Sequence, residues 1–163
     1  MSIRLYWLRE HGVSLTVYSG KITPQMLLEH IRAIDPEGAP TARGWITYYD
    51  DTVDVSEIGL DAQIEARDLV AAKFREGRGE ARLRTALVCR SRLNRPNLSL
   101  WQACTRAAPG HPIDAELFES LREACDWLGL DADARRRVAA IAEGRAEAVP
   151  AAMPEPQTAE VSA

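Results

Sequence analysis

Two runs near the start of the chain alternate between faces. Ile3, Leu5 and Trp7 interleave with Arg4, Tyr6 and Leu8, and Val13, Leu15 and Val17 interleave with Ser14, Thr16 and Tyr18. A period of two with His11-Gly12 between the runs predicts a β-hairpin. The spacing then changes to three and four. Thr23-Pro24 supplies an N-cap followed by proline at the first helical position, where its missing donor costs nothing. Leu27, Leu28, Ile31 and Ile34 form the apolar stripe of a first helix, and Asp35-Pro36-Glu37-Gly38 stops it. Gly44 to Asp50, rich in Trp45, Tyr48 and Tyr49, predicts a strand. A second helix is expected from Ser56 to Phe74, with Ile58, Ala62, Ala66, Leu69, Val70 and Phe74 on its buried face and Gly77 and Gly79 closing it.

The remaining elements follow the same logic. Thr85 to Cys89 is an uninterrupted apolar run, as expected of a strand covered on both faces. Pro96 opens a third helix carrying Leu100, Trp101, Cys104 and Ala108, ended by Pro109-Gly110. Ile113, Ala115 and Leu117 alternate with Asp114, Glu116 and Phe118 in a last short strand. Ser120-x-x-Glu123 is a capping box, in which serine and glutamate satisfy two free helix donors reciprocally. Leu121, Ala124, Cys125 and Leu128 are the buried face of that helix and Gly129 its end. The order ββαβαβαβα predicts an α/β domain over residues 1–130, with a mixed, mainly parallel sheet whose antiparallel part is the N-terminal hairpin. Residues 131–149 are rich in alanine and arginine, with a thin stripe at Val138 and Ile141, and predict a helix that needs a docking surface. Residues 150–163 have too little apolar surface to offset ordering and are expected to be disordered.

Composition narrows the function classes. A formal net charge of −4 over 163 residues gives no general attraction to nucleic acid or anionic membrane. The basic residues between Lys73 and Arg95 are split over a helix end, a loop and a strand, without a recognition-helix pattern. Cys89, Cys104 and Cys125 are odd in number, far apart and set in apolar surroundings, so they are expected to be reduced core residues. The N-terminal stretch alternates like a strand and has no apolar h-region, and no apolar run approaches spanning length. A cytoplasmic protein without membrane insertion is the expectation. His11, His30 and His111 have no nucleophile near them in sequence and form no metal or triad motif, so an enzyme is not expected and a hydrolase is the weaker alternative. The four tryptophans sit at core-compatible positions, with the alternative that some line an apolar pocket.

The densest chemistry lies between Gly44 and Leu60. From Asp50 to Asp68 there are seven acids against Arg67 alone, and from Lys73 to Arg95 eight bases against Glu76 and Glu80. Two solvated faces that neutralise each other, or a polarised surface that docks a partner protein or a second copy, are the two readings of that contrast. Asp50, Asp51, Asp54 and Glu57 are oxygen donors of the kind Mg²⁺ takes. No phosphorylatable-aspartate pattern with its downstream partners accompanies them, so no metal or cofactor is expected. Ser56 is expected to cap the second helix, and it is also the candidate phosphosite, because phosphate at a helix N-terminus meets the positive end of the dipole.

The hairpin followed by I-T-P-Q-M-L-L-E-H-I, the strand ending in Tyr49-Asp50-Asp51, and Leu117-Phe118-x-Ser120-Leu121-x-Glu123-Ala124-x-x-Trp127-Leu128 together resemble the bacterial SpoIIAA-like group. That group is related to STAS domains, the anti-sigma-factor-antagonist fold, and is sometimes likened to Sec14 domains. The resemblance runs from about Ile3 to Leu130. In the antagonists a serine followed by Ser-Gly-Leu, at the start of the second helix, is phosphorylated to release a partner. Here Gly59-Leu60 fits, Ser56 lies three residues before Gly59, and Ile58 directly precedes it. The resemblance implies a non-enzymatic regulatory interaction module that meets a partner protein through Asp50, Asp51, Asp54, Ser56, Glu57 and Gly59. A carrier or sensor of a small apolar, lipid-like ligand, held between helices and sheet, is the alternative.

Overall fold

The computed structural model describes residues 2–75 and 82–144. Strands β1 (Ser2–Leu8) and β2 (Val13–Ser19) form the hairpin, turned by a short 3-10 segment at Arg9–His11. Then follow α1 (Pro24–Ala33), β3 (Gly44–Tyr49), α2 (Leu60–Arg75), β4 (Leu83–Cys89), α3 (Arg95–Ala107), β5 (Ile113–Phe118), α4 (Leu121–Leu128) and α5 (Ala132–Ala142). The protein is thus α/β, with a five-stranded mixed sheet in the order β1-β2-β3-β4-β5. β1 is antiparallel to β2, and β2 to β5 are parallel. Each parallel step moves to the next strand through one helix, the βαβ connection that parallel pairing requires.

Alternation along the strands divides the core into two layers. Val13, Leu15, Val17, Ile46, Tyr48, Ala86 and Val88 face α4 and α5. Trp45, Leu83, Leu87, Ile113 and Ala115 face the other way, against Leu28 and Ile31 of α1, Ala66, Val70 and Phe74 of α2, and Trp101 of α3. A third cluster of Tyr18, Ile22, Tyr49, Val53, Val55, Ile58, Cys89 and Leu98 sits where the parallel strands end. Gly44 has a positive φ of 136°, and a Cβ there would lie 2.6 Å from the Arg84 carbonyl oxygen and 2.7 Å from Leu128 Cδ2. Only glycine lets β3 start so close to β4 and α4.

Several expected caps are in place. Thr23 Oγ1 accepts from the Met26 N–H at 3.3 Å, and Ser120 and Glu123 form the full capping box. Gly129, with φ 66°, ends α4 in the left-handed conformation. α5 has the docking surface its thin stripe requires: Asp131 caps it, and Val138 and Ile141 join the α4 layer of the core. The helix stops at Ala142 with Glu143 as its C-cap; residues 145–149, the tail expected to be disordered and the closing glycines Gly77 and Gly79 lie outside the described residues.

Two expectations need correction. α2 begins at Leu60, not at Ser56. Ile58, read as part of the helix's apolar periodicity, is with Val55 a buried plug of the preceding loop. α3 buries Leu98 and Thr105 with Trp101 packed alongside, while Leu100 is exposed. The true stripe is Leu98, Trp101 and Thr105, and it was hidden because threonine reads as polar.

Candidate functional site

Between the sheet and helices α1 to α3 lies a cavity of about 110 Å³. Its floor is the helical face of the sheet, where Thr16, Tyr18, Trp45, Thr47, Tyr49, Thr85 and Leu87 point. Its roof is built from Ile31 and Ile34 of α1, Val70 and Phe74 of α2, and Leu98 and Trp101 of α3. Among the described residues the wall carries no Asp, Glu, Lys or Arg, and no Ser or Cys. Leu27 and His30 of α1 and Asn97 and Trp101 of α3 line it while keeping part of their surface exposed. Trp45 and Trp101 therefore do line an apolar pocket.

Aromatic rings brace the floor. Tyr18 and Tyr49 stack with centroids 4.9 Å apart, and His30 meets Tyr18 edge-on at 5.9 Å. Trp45 packs edge-on against Phe74, and its Nε1–H donates to Thr16 Oγ1 at 2.9 Å. Burial pushes both tyrosine hydroxyls well above their ordinary range, and burial pulls His30 down to about 4. All three are uncharged near neutral pH, so the described lining is neutral.

A chain of side-chain amides joins this cavity to the loop before α2. Gln63, buried on α2, gives its Nε2 to Asn97 Oδ1 at 2.8 Å and to the Asn97 carbonyl at 3.1 Å. Asn97 Nδ2 donates to the carbonyls of Ile58 at 2.6 Å and Val55 at 3.4 Å. Asn94 Nδ2 donates to the Val53 carbonyl at 2.7 Å, and its Oδ1 accepts from Val55 N–H at 3.5 Å. These bonds satisfy loop backbone that would otherwise be buried and unpaired, and they explain why the chain turns here instead of starting the helix at Ser56.

The acidic residues lie together on the outside of that loop. Asp51, Asp54, Ser56, Glu57 and Gly59 are exposed and Asp50 is half-buried. Much of their charge is engaged locally. Asp50 Oδ1 accepts from the Thr52 N–H at 2.8 Å and hydroxyl at 2.6 Å. Asp54 Oδ1 accepts from Ser56 N–H at 2.9 Å, and hydrogen bonds from the Ser56 side chain and backbone hold that carboxyl below its ordinary range. Glu57 pairs with Lys21 at 2.6 Å and raises the Lys21 pKa. Ser56 thus closes a turn on Asp54 and does not cap α2. Gly59 stands at the helix start, its carbonyl accepting from Gln63 N–H at 3.1 Å.

Charge contrast along the chain does not become mutual pairing. Among the described residues no ion pair joins the acidic run to the run from Lys73 to Arg95. Glu65 pairs with Arg32, Arg95 pairs with Glu119, and the Arg84 guanidinium lies 4.1 Å over the Trp127 ring. No group of three or more His, Cys, Asp or Glu among the described residues is placed to hold a metal ion. All three cysteines are free, with Cys89 and Cys125 buried. No helix among the described residues is long and apolar enough to cross a membrane.

Gln63, Asn94, Asn97 and Thr85 carry the site and were not singled out in the sequence. One signal was present: Gln63 precedes Ala66 and Val70 by three and seven, so it belongs to the buried stripe of α2. A polar residue on an apolar face is the informative exception. No protein-family model, curated protein or solved structure matches the chain.

Proposed function

We propose that this domain is a non-catalytic sensor of a small apolar ligand, which it holds in the cavity under α1 to α3 and reports through the acidic loop. The observation that carries the reading is a neutral, aromatic-walled cavity tied by hydrogen bonds to an exposed loop. Concave apolar sites with a few placed polar groups are where small ligands bind. Among the described lining residues no carboxylate accompanies His30 to orient it as a base for the threonine and tyrosine hydroxyls, which favours binding over covalent chemistry.

The loop supports the second half of the reading, a face for a partner protein. Leu93, adjoining the Asn94 that staples the loop, is 92% exposed, and Leu60 at its far end is 49% exposed. Apolar side chains beside carboxylates give a partner both contact area and charge register. The hairpin, the alternating order and the acidic strand end support kinship with STAS-like modules, with Ser56 as an exposed candidate phosphosite. Its hydroxyl bonds to Asp54, so phosphorylation would set two negative groups against each other and rearrange the turn.

Thermal-shift measurement against a panel of small uncharged ring compounds tests the ligand half. Binding at a hundred times Kd raises stability by about 2.7 kcal/mol, which moves the Tm of a domain this size by several degrees. A panel without a single shift, alongside native mass spectra free of any bound molecule, sinks the reading.

A further inference from the structure

Two buried polar atoms on the cavity wall have no hydrogen-bond partner: Gln63 Oε1 and Thr85 Oγ1. Their residues are 1% and 7% exposed. An unpaired buried polar group costs about 1–3 kcal/mol, and such groups in folded proteins call for an explanation. Both residues line one cavity, so a single occupant is the simplest partner for the two atoms.

The direction of the Gln63 amide follows from its neighbours. Asn97 Nδ2 donates to two backbone carbonyls, which only accept, so Asn97 Oδ1 lies at the opposite end of its amide. Gln63 reaches that Oδ1 and the Asn97 carbonyl. Turning the Gln63 amide over would set its oxygen against two acceptors. Oε1 is therefore the free atom, and it can only accept. Thr85 shares the helical face of β4 with Leu83 and Leu87, and its hydroxyl can donate or accept.

Size and charge narrow the occupant further. The volume of about 110 Å³ is on the scale of the ~150 Å³ apolar cavity that takes one benzene ring. A neutral wall rejects an ionised ligand, whose desolvation nothing here would offset. We propose that the cavity selects a small, uncharged, ring-sized molecule carrying an O–H or N–H group, which it donates to Gln63 Oε1, with Thr85 Oγ1 as the second polar contact. This rests on the ligand-binding reading above and adds the chemistry of the ligand.

Phenol and toluene, nearly equal in size and different in one hydroxyl, are the probes. Each is titrated into the intact protein and followed by NMR. The expected result is that phenol binds about tenfold more tightly than toluene, the factor one net hydrogen bond supplies, and shifts the Gln63 side-chain NH₂ signals. Gln63→Met removes the acceptor but also the Asn97 bonds. Thr85→Val removes only a hydroxyl without a partner and keeps the fold, so it decides the question if the first variant unfolds. It should weaken phenol about three- to tenfold and leave toluene unchanged. Toluene binding as tightly as phenol, or phenol indifferent to Thr85→Val, overturns the polar-ligand inference and leaves an apolar-ligand site standing. Neither probe binding overturns both, with water then satisfying the two atoms.

Discussion

His30 sits on the cavity wall with its ring edge-on to Tyr18, and its proton is opposed by burial. The unfolded chain takes that proton near pH 6.5, the folded chain only near 4. A base whose pKa falls on folding contributes full stability above its unfolded value and loses it as the pH drops through the gap. Urea unfolding at pH 7 and pH 4 should therefore show the native chain losing about 3 kcal/mol more than His30→Gln. Equal losses would mean that the imidazole is solvated. Burial works similarly on Tyr18 and Tyr49, whose hydroxyls stay protonated. The cavity thus keeps one charge state from mildly acidic to alkaline pH, and a ligand would meet the same neutral wall throughout.

Helix boundaries depend on which bonds a serine can complete. Ser120 has Glu123 three residues on, and the two exchange bonds with the first turn of α4. Ser120→Ala should cost about 1 kcal/mol, read as a lower urea midpoint with an unchanged slope. A null effect would show that the cap contributes nothing beyond the helix's packing. Ser56 also precedes an acid and an apolar run, yet three residues on it meets Gly59, which has no side chain to return a bond. The turn around Asp54 wins, and α2 waits until Leu60. That contrast marks how far the residues could be read. The hairpin, the three parallel strands after it and the helix caps at Thr23, Ser120 and Gly129 were legible because each rests on neighbours close in sequence. The cavity was not, because Gln63, Thr85 and Asn97 come from three elements and meet only through the sheet order. The acidic residues were found as a group, but the amides that shape their loop lie about forty positions later.

Across the whole molecule the amide chain makes the cavity and the outer loop one mechanical unit. Asn97→Ala removes the donors to Val55 and Ile58 and leaves Gln63 Nε2 only the backbone carbonyl of residue 97, so it should cost about 2 kcal/mol. Amide hydrogen exchange should quicken across residues 53–60 while β3 and β4 keep the protection of the global transition. Phenol should slow exchange in that loop in the native chain and not in the variant. A uniform change over all elements would dissolve the proposed link. At the opposite end of the sheet, α5 returns to the hairpin made first. His11 Nε2 lies 3.5 Å from an Asp133 carboxylate oxygen, Arg137 lies 3.7 Å from Glu10, and Val138 shares a core cluster with Leu15. During synthesis on the ribosome, the residues that cover Leu15, Val17 and Ile46 emerge only after all five strands. The nascent sheet therefore carries one bare apolar face until its last helices arrive, and for that interval it is a substrate for chaperones or for another unfinished copy of itself.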